Sequence, residues 1–366
     1  MYYYLSYAIP VLGLAVALFF GLEPDYWWAY LLIIAFAEGV IGLMFYLFSR
    51  AEEFLSGYVF QVVHMNAWTE KVVEKETQYD SKGNSYTKEK IKYVEHPDEW
   101  LWSLNTGREQ RIPERLYREM CQRWRTEIYP FQTFHPNCVS GGGGQRCYWN
   151  GNELDTRTIT YSHKYKNPVR YSHSLFRSNF VGDAQVRKLG LFDYPPIYPF
   201  DDQKVILYDA VGVPRNYLKA NQELQRLNAF MGQEYEIHAF ILLFQAEKGM
   251  ETAQKQRDYW KGLNKNEFVV CLGISGQKVN WCESLSWMDI PTLSLKTRDY
   301  FISHEDLDLV AFVKWLRTQL NSWKRKEFKD FRYLGTNMSE GNGTLYWVIS
   351  LVLGILVFVV CLSVGG

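Results

Sequence analysis

Charge is sparse at the start of this chain, absent from its last stretch and crowded into its middle, which limits the folds open to it. Residues 1–48 carry three acids, Glu23, Asp25 and Glu38, and no Lys or Arg; residues 345–366 carry no charge. Three runs, 2–22, 27–48 and 345–364, each reach the roughly 20 apolar residues that a helix needs to cross about 30 Å of hydrocarbon. No basic leader precedes the first run and a second follows at once, which reads as two spans rather than a cleaved signal. The link Glu23-Pro24-Asp25 is short enough only for a turn. The expectation is an N-terminal transmembrane hairpin (1–48), a soluble region, and a C-terminal span (345–364).

All 40 basic residues lie between 49 and 344, and the net charge of the chain is zero. That balance gives no electrostatic footprint for nucleic acid. The lipid bilayer is the expected partner, together with other membrane or cytoplasmic proteins. Aromatic residues make up 17% of the chain, many near the ends of the apolar runs, where amphipathic rings anchor at headgroups. Arg50 and the cluster Lys324, Arg325, Lys326, Lys329 and Arg332 flank the runs on the side of the soluble region. By the positive-inside rule these place that region in the cytoplasm. The same cluster alternates with Trp323, Phe328 and Phe331, which suits anionic lipid headgroups. Two sequons, at Asn337 and Asn342, point weakly to a secretory lumen instead.

Glu38 is the one ionisable group near the middle of a run. A charge there costs several kcal/mol, so Glu38 must face protein or water, or hold its proton. Ala35, Gly39 and Gly42 beside it allow another helix to approach closely. Helix packing is the preferred reading, with ion or proton handling through Glu38 as a weaker alternative.

Between the apolar ends the pattern divides into segments. Residues 49–66 read as a juxtamembrane helix. In 67–192, residues 68–79 and 86–94 alternate around the turn Asp80-Ser81-Lys82-Gly83-Asn84, a β-hairpin. Pro113, Leu116, Met120 and Trp124 mark an amphipathic helix. Gly141-Gly142-Gly143-Gly144 lacks the Gly-Lys-Ser/Thr ending of a phosphate loop and reads as a flexible loop. Residues 193–203, with Pro195, Pro196 and Pro199, form an extended linker between subdomains. In 204–335 strands at 204–211, 235–244, 268–274 and 279–286 alternate with helices at 216–231, 251–260 and 306–323. The fold class is therefore an α/β membrane protein, three transmembrane helices plus a mixed sheet flanked by helices. A two-residue turn at Gly276-Gln277 places Cys271 opposite Cys282 as a small core pair.

The strand ending near Asp209, then helix, strand, helix and the stretch Gly262-Leu263-Asn264-Lys265-Asn266-Glu267 before the next strand, resembles the TPM domain over residues 204–286. That resemblance implies a membrane-anchored domain acting as a phosphatase or as an assembly factor, and carries across only Asp209 and Asn266. Lys265-Asn266-Glu267 stands where the family has Asp-Asn-Gly, which puts catalysis in doubt.

Other chemistry is sparse. His135, Cys138 and Cys147, with His163 and His173, include enough soft ligands for zinc but match no zinc spacing. A surface loop is preferred, with a metal site or a Cys138–Cys147 disulfide as alternatives. Asp201, Asp202, Asp209, Glu267 and Asp289 lie around expected strand ends, where α/β folds place their ligands, but solvated loop charges are the preferred reading. No nucleophile elbow occurs. The resulting expectation is a membrane-anchored scaffold or assembly protein, homo-oligomeric and without a cofactor. The alternative is a membrane-tethered, metal-dependent hydrolase using Asp209, Asn266 and a divalent ion.

Overall fold

A computed structural model describes residues 2–19, 27–48, 51–79, 85–132, 136–165, 181–208, 214–260, 262–288, 291–304, 306–323 and 340–365. The apolar ends are helical: a 3-10 turn (Tyr2–Tyr7) leads into α1 (Ala8–Phe19), followed by α2 (Trp27–Phe48). Among the described residues two helices are long and apolar enough to cross a membrane, by length and composition: Trp27–Leu47, and 343–363 near the C-terminus. Within the expected span of 2–22, the described residues comprise six in a 3-10 turn and 12 in α1, fewer residues than a full crossing α-helix has, and residues 20–22 lie outside the described residues.

Where a juxtamembrane helix was expected over 49–66, the chain forms a strand, β1 (Ala51–Met65). Tyr58, Val59, Phe60, Val62 and Val63 favour the pleat, Gly57 weakens a helix, and strand partners distant in sequence complete the preference. β2 (Trp68–Tyr79) and β3 (Ser85–His96) make the hairpin read from the sequence. β4 (Glu99–Leu104), β5 (Glu109–Arg111), α3 (Glu114–Trp124), β6 (Tyr129–Phe131), β7 (Cys138–Gly141), β8 (Gly144–Tyr148) and β9 (Thr158–Tyr165) complete this half. The main sheet runs β5-β4-β1-β8-β6, with β9 also on β1. Ala51 to Tyr58 of β1 pair with β9, and Gln61 to Met65 with β8, so one strand organises the sheet.

α3 covers this sheet with Leu116, Tyr117, Met120 and Trp124 against Val59, Val62 and Trp102. A disulfide joins Cys121 of α3 to Cys147 of β8, with Cα atoms 5.9 Å apart. Cys147 therefore pairs neither with Cys138 nor with a metal. Cys138 belongs to β7 in the separate three-stranded sheet β3-β2-β7 and stays a free thiol.

The second half contains α4 (Asp183–Leu189), β10 (Ile206–Tyr208), α5 (Tyr217–Tyr235), β11 (His238–Gln245), α6 (Glu251–Tyr259), β12 (Glu267–Ser275), β13 (Lys278–Ser286), α7 (Pro291–Ser303) and α8 (Leu309–Gln319). Its sheet, β10-β11-β12-β13, is mixed: the first three strands are parallel and β13 is antiparallel. β11 and β12 are almost wholly buried, as parallel strands covered on both faces must be. The hairpin turns at Gly276-Gln277, but a bulge at Gly273/Ile274 shifts the register. Cys282 faces Leu272 and Cys271 faces Glu283, rather than each other.

α9 (Glu340–Gly365) returns to the N-terminal helices. Ser6 and Tyr346 hydroxyls meet at 2.5 Å, and Gly13 lies against Gly354. α1 and α9 therefore run side by side in the same direction. Tyr30, Ala37 and Ile41 of α2 pack on Cys361, Val357 and Tyr346 in the opposite direction. A Cβ added at Gly13 would sit 2.5 Å from the Gly354 carbonyl oxygen, a clash with backbone. Gly13→Leu is expected to separate α1 from α9. Cysteines introduced at Ser6 and Tyr346 should cross-link in the parent background and lose that cross-link in the Gly13→Leu variant.

Candidate functional site

Two places concentrate polar chemistry: the seam between the halves and the bend of the β1–β4 ribbon. At the seam, Asn266 and Glu267 lie where β12 begins, and His238 opens β11. These are the amino ends of parallel strands, whereas open α/β sheets bind ligands at the carboxyl ends. Asn266 is buried and its amide donates to the Phe54 carbonyl of β1 at 2.7 Å. Its side chain therefore fastens one half to the other. Asp209 and Asp289 lie outside the described residues.

Glu267 is fully buried. The Tyr194 hydroxyl donates to it at 2.5 Å, and the Asn264 backbone and side-chain amides donate at 2.9 and 2.7 Å. Burial pushes its carboxyl above the usual range against these bonds, with Glu53 of β1 adding repulsion. Burial, then Glu267 itself, holds the Tyr194 phenol well above its ordinary value. Gln203 binds the Pro195 carbonyl through its amide at 2.6 Å and His238 Nε2 through its oxygen at 3.0 Å. Burial pulls the His238 pKa down to about 3, so the ring is neutral and its Nε2 carries the proton. The expected Pro-rich linker is thus packed into the seam, with Tyr194 among Phe54, Phe240 and Trp260.

Asp202 closes the seam's edge by accepting from Thr158 and, at 2.8 Å, from Thr160 of β9. Burial pushes its pKa up to about 6 against the Thr158 and Thr160 bonds. Beside it a cavity of about 610 Å³ opens to solvent, lined in part by Arg157, Arg226, Asp201, Gln222 and Gln225. Arg157 and Arg226 are already paired, with Glu119 at 3.6 Å and Glu223 at 3.1 Å. Most polar groups of the seam are paired with one another, but His238 Nδ1 and Asn266 Oδ1 are buried without a hydrogen-bond partner.

The second place carries no functional signal in the sequence, where His96-Pro97-Asp98 only breaks the alternation of the hairpin. β1 pairs with β4, and β2 with β3, so the four strands make one antiparallel ribbon interrupted at Asn66-Ala67 and Pro97-Asp98. Proline has no N–H to give the ladder. Asp98 accepts instead from the Ala67 N–H at 3.2 Å and bonds His64 Nε2 at 2.9 Å. His64 stacks on its cross-strand partner Trp100, and His96 on its partner Trp68 with centroids 4.1 Å apart. His96 Nε2 also meets Glu70 at 3.0 Å.

The glycine run, expected to be a flexible loop, is wedged into this bend. Gly141, Gly142 and Gly143 all adopt positive φ, and Gly143 accepts from the Asn66 N–H at 3.0 Å. A Cβ on Gly144 would lie 2.0 Å from the His64 carbonyl oxygen.

Glu38 is half-buried in α2 and lies in the electrostatic field of Tyr346, whose hydroxyl reaches Ser6. The Tyr7 hydroxyl lies near Gly42 one turn on, within 3.4 Å of where a Cβ would sit. Among the described residues no three His, Cys, Asp or Glu side chains gather as a metal site. His135, Lys324, Arg325, Lys326, Lys329 and Arg332 lie outside the described residues, as does the side chain of His163.

Two outcomes follow. An exposed Asp releases its proton near 3.8 while folded Asp202 holds it to about 6, so Asp202's own contribution to stability is lost as pH rises from about 4 to about 6, while the buried neutral His238 adds stability over the same range. Asp202→Asn should therefore gain stability relative to the parent as pH rises, in urea titrations of the full chain in detergent at pH 4, 5, 6 and 7. Gly144→Ala, which must displace backbone, should cost about 1–3 kcal/mol in the same titration at pH 7. No family model, curated protein or solved structure matches the chain.

Proposed function

We propose that this chain is a membrane-anchored scaffold, held by three apolar helices and presenting a rigid α/β body that binds other proteins and further copies of itself. The meeting of the chain's two ends at Ser6 and Tyr346 carries this reading, because it brings α1, α2 and α9 into one bundle. The first member is long enough in this setting. Six 3-10 residues and twelve α-helical ones rise about 30 Å together, the thickness of the hydrocarbon core. Glu38 sits in that bundle near Ser6, Tyr7 and Tyr346, an arrangement that supports polar packing between helices.

α2 ends at Phe48 and β1 starts at Ala51, so the body follows the anchor with almost no linker. The β2–β3 hairpin extends beyond its short support from β7, which reaches only Trp68 to Glu70. Twelve residues per strand make an arm of about 40 Å. Exposed Val73, Ile91 and Tyr93 give it apolar contact points among ion pairs such as Lys75–Glu89. Two-stranded ribbons are marginal alone and gain stability by docking. The hydrolase alternative gains no comparable support: the Asn266 NH2 group bonds the Phe54 carbonyl, and Asp209 lies outside the described residues.

The test is extraction and mass. The chain should stay with membranes through alkaline carbonate, and in detergent its scattering mass should correspond to more than one copy. Release into the aqueous phase would remove the anchor reading; a strict monomer that captures no protein partner would remove the scaffold reading.

A further inference from the structure

We infer that the α/β body lies on the oxidising side of the membrane, where Cys121 and Cys147 are joined as a permanent structural disulfide. The inference rests on the anchored reading above and reverses the cytoplasmic placement expected from basic flanks. Three features of the cysteines carry it. The bond lies in the core under α3, with Cys147 fully buried beside Val62, Met120 and Trp124. Cys121 is half-buried, so exchange at the bond is shielded on the Cys147 side, unlike a redox-sensing or catalytic pair, which must stay accessible. Reducing cytosol keeps thiols of this kind apart, whereas secretory and periplasmic compartments keep them joined.

The remaining thiols fit the same compartment. Cys271, Cys282 and Cys361 are buried and Cys138 is half-buried, so none of the six cysteines offers a fully exposed thiol. Burial raises Cys271 well above its ordinary value and pushes Cys282 up to about 12, which suppresses the thiolate that oxidants attack. The shift of register at Gly273/Ile274 also sets Cys271 and Cys282 against other residues, away from a second bond. One pair is positioned to oxidise and the others are protected.

The basic flanks do not oppose this placement strongly. The positive-inside rule counts basic residues in short loops and within about 15–20 residues of a span, so Arg50 and the cluster before α9 favour the other orientation, but long domains translocate largely regardless of charge. The region between α2 and α9 is such a long domain. Formation of the bond takes two thiols to one disulfide. Two protons and two electrons pass to a thiol-exchange oxidant, whose own disulfide becomes a dithiol. Because Cys147 ends with no exposed surface, this exchange precedes or accompanies the docking of α3 on β8.

The experiment uses the full chain in a bacterial host with reducing cytosol and oxidising periplasm. Cells are quenched in acid, free thiols are alkylated, and unreduced tryptic peptides are mapped. Cleavage at Arg118, Arg123, Arg146 and Arg157 releases Cys121 and Cys147 as one linked pair if the bond exists. In parallel, protease is added to spheroplasts and to inverted membrane vesicles. The expected result is a linked pair, with the body digested in spheroplasts and protected in inverted vesicles. Separately alkylated Cys121 and Cys147 peptides, or a body digested only in inverted vesicles, overturn the inference. Chain recovered in the aqueous fraction instead defeats the anchored reading, so the two failures are distinguishable.

Discussion

β1 takes hydrogen bonds along both edges: from β4 on one side, and from β9 and then β8 on the other. It also receives Asn266 from the second half through the Phe54 carbonyl. Every other part of the body is placed relative to this strand, and its first residue lies just beyond the end of α2. Position along β1 therefore sets distance from the anchor. The seam lies near its start and the ribbon bend at its end. A slip of one residue in β1 would turn Val59 and Val62 out of the core and break all three pairings together.

The seam explains how two sheets of different kinds hold one arrangement. Burying a carboxylate, a phenol, an imidazole and several amides is costly unless each finds a partner. Here Glu267, Tyr194, Gln203, His238 and Asp202 are supplied by the linker, β9, β11 and β12. Apolar contacts tolerate sliding; directed hydrogen bonds do not, so the seam fixes orientation more than it adds stability. Arg317 and Glu153 reinforce the joint from outside by a two-point ion pair at 2.8 and 2.7 Å.

The ribbon bend serves a different end. Paired His–Trp stacks and the Asp98 bonds replace the ladder where Pro97 interrupts it, and the glycine wedge fills space that no side chain could share. Beyond it the hairpin leaves its support and meets solvent on both faces. If the body lies on the oxidising side, this arm is offered to partners outside the cytosol. A disulfide beneath α3 then holds the sheet at its base through unfolding fluctuations.

Local patterns in the sequence determined much of this. Apolar stretches identified α2 and α9, alternation identified the β2–β3 hairpin, and helical spacing from Leu116 to Trp124 identified α3. After residue 204 the order of strands and helices was also legible, except for α7 (Pro291–Ser303), which the sequence pattern did not mark. The tertiary structure alone decided the rest. β1 became a strand because partners up to about a hundred residues away complete its edges, and Cys121 reached Cys147 because α3 lies across β8. Asn266 and Glu267 turned from candidate chemistry into a fastening because β1 happens to pass the amino end of β12. Periodicity is a property of neighbours in the chain, whereas register, pairing and the satisfaction of buried polar groups belong to neighbours in space.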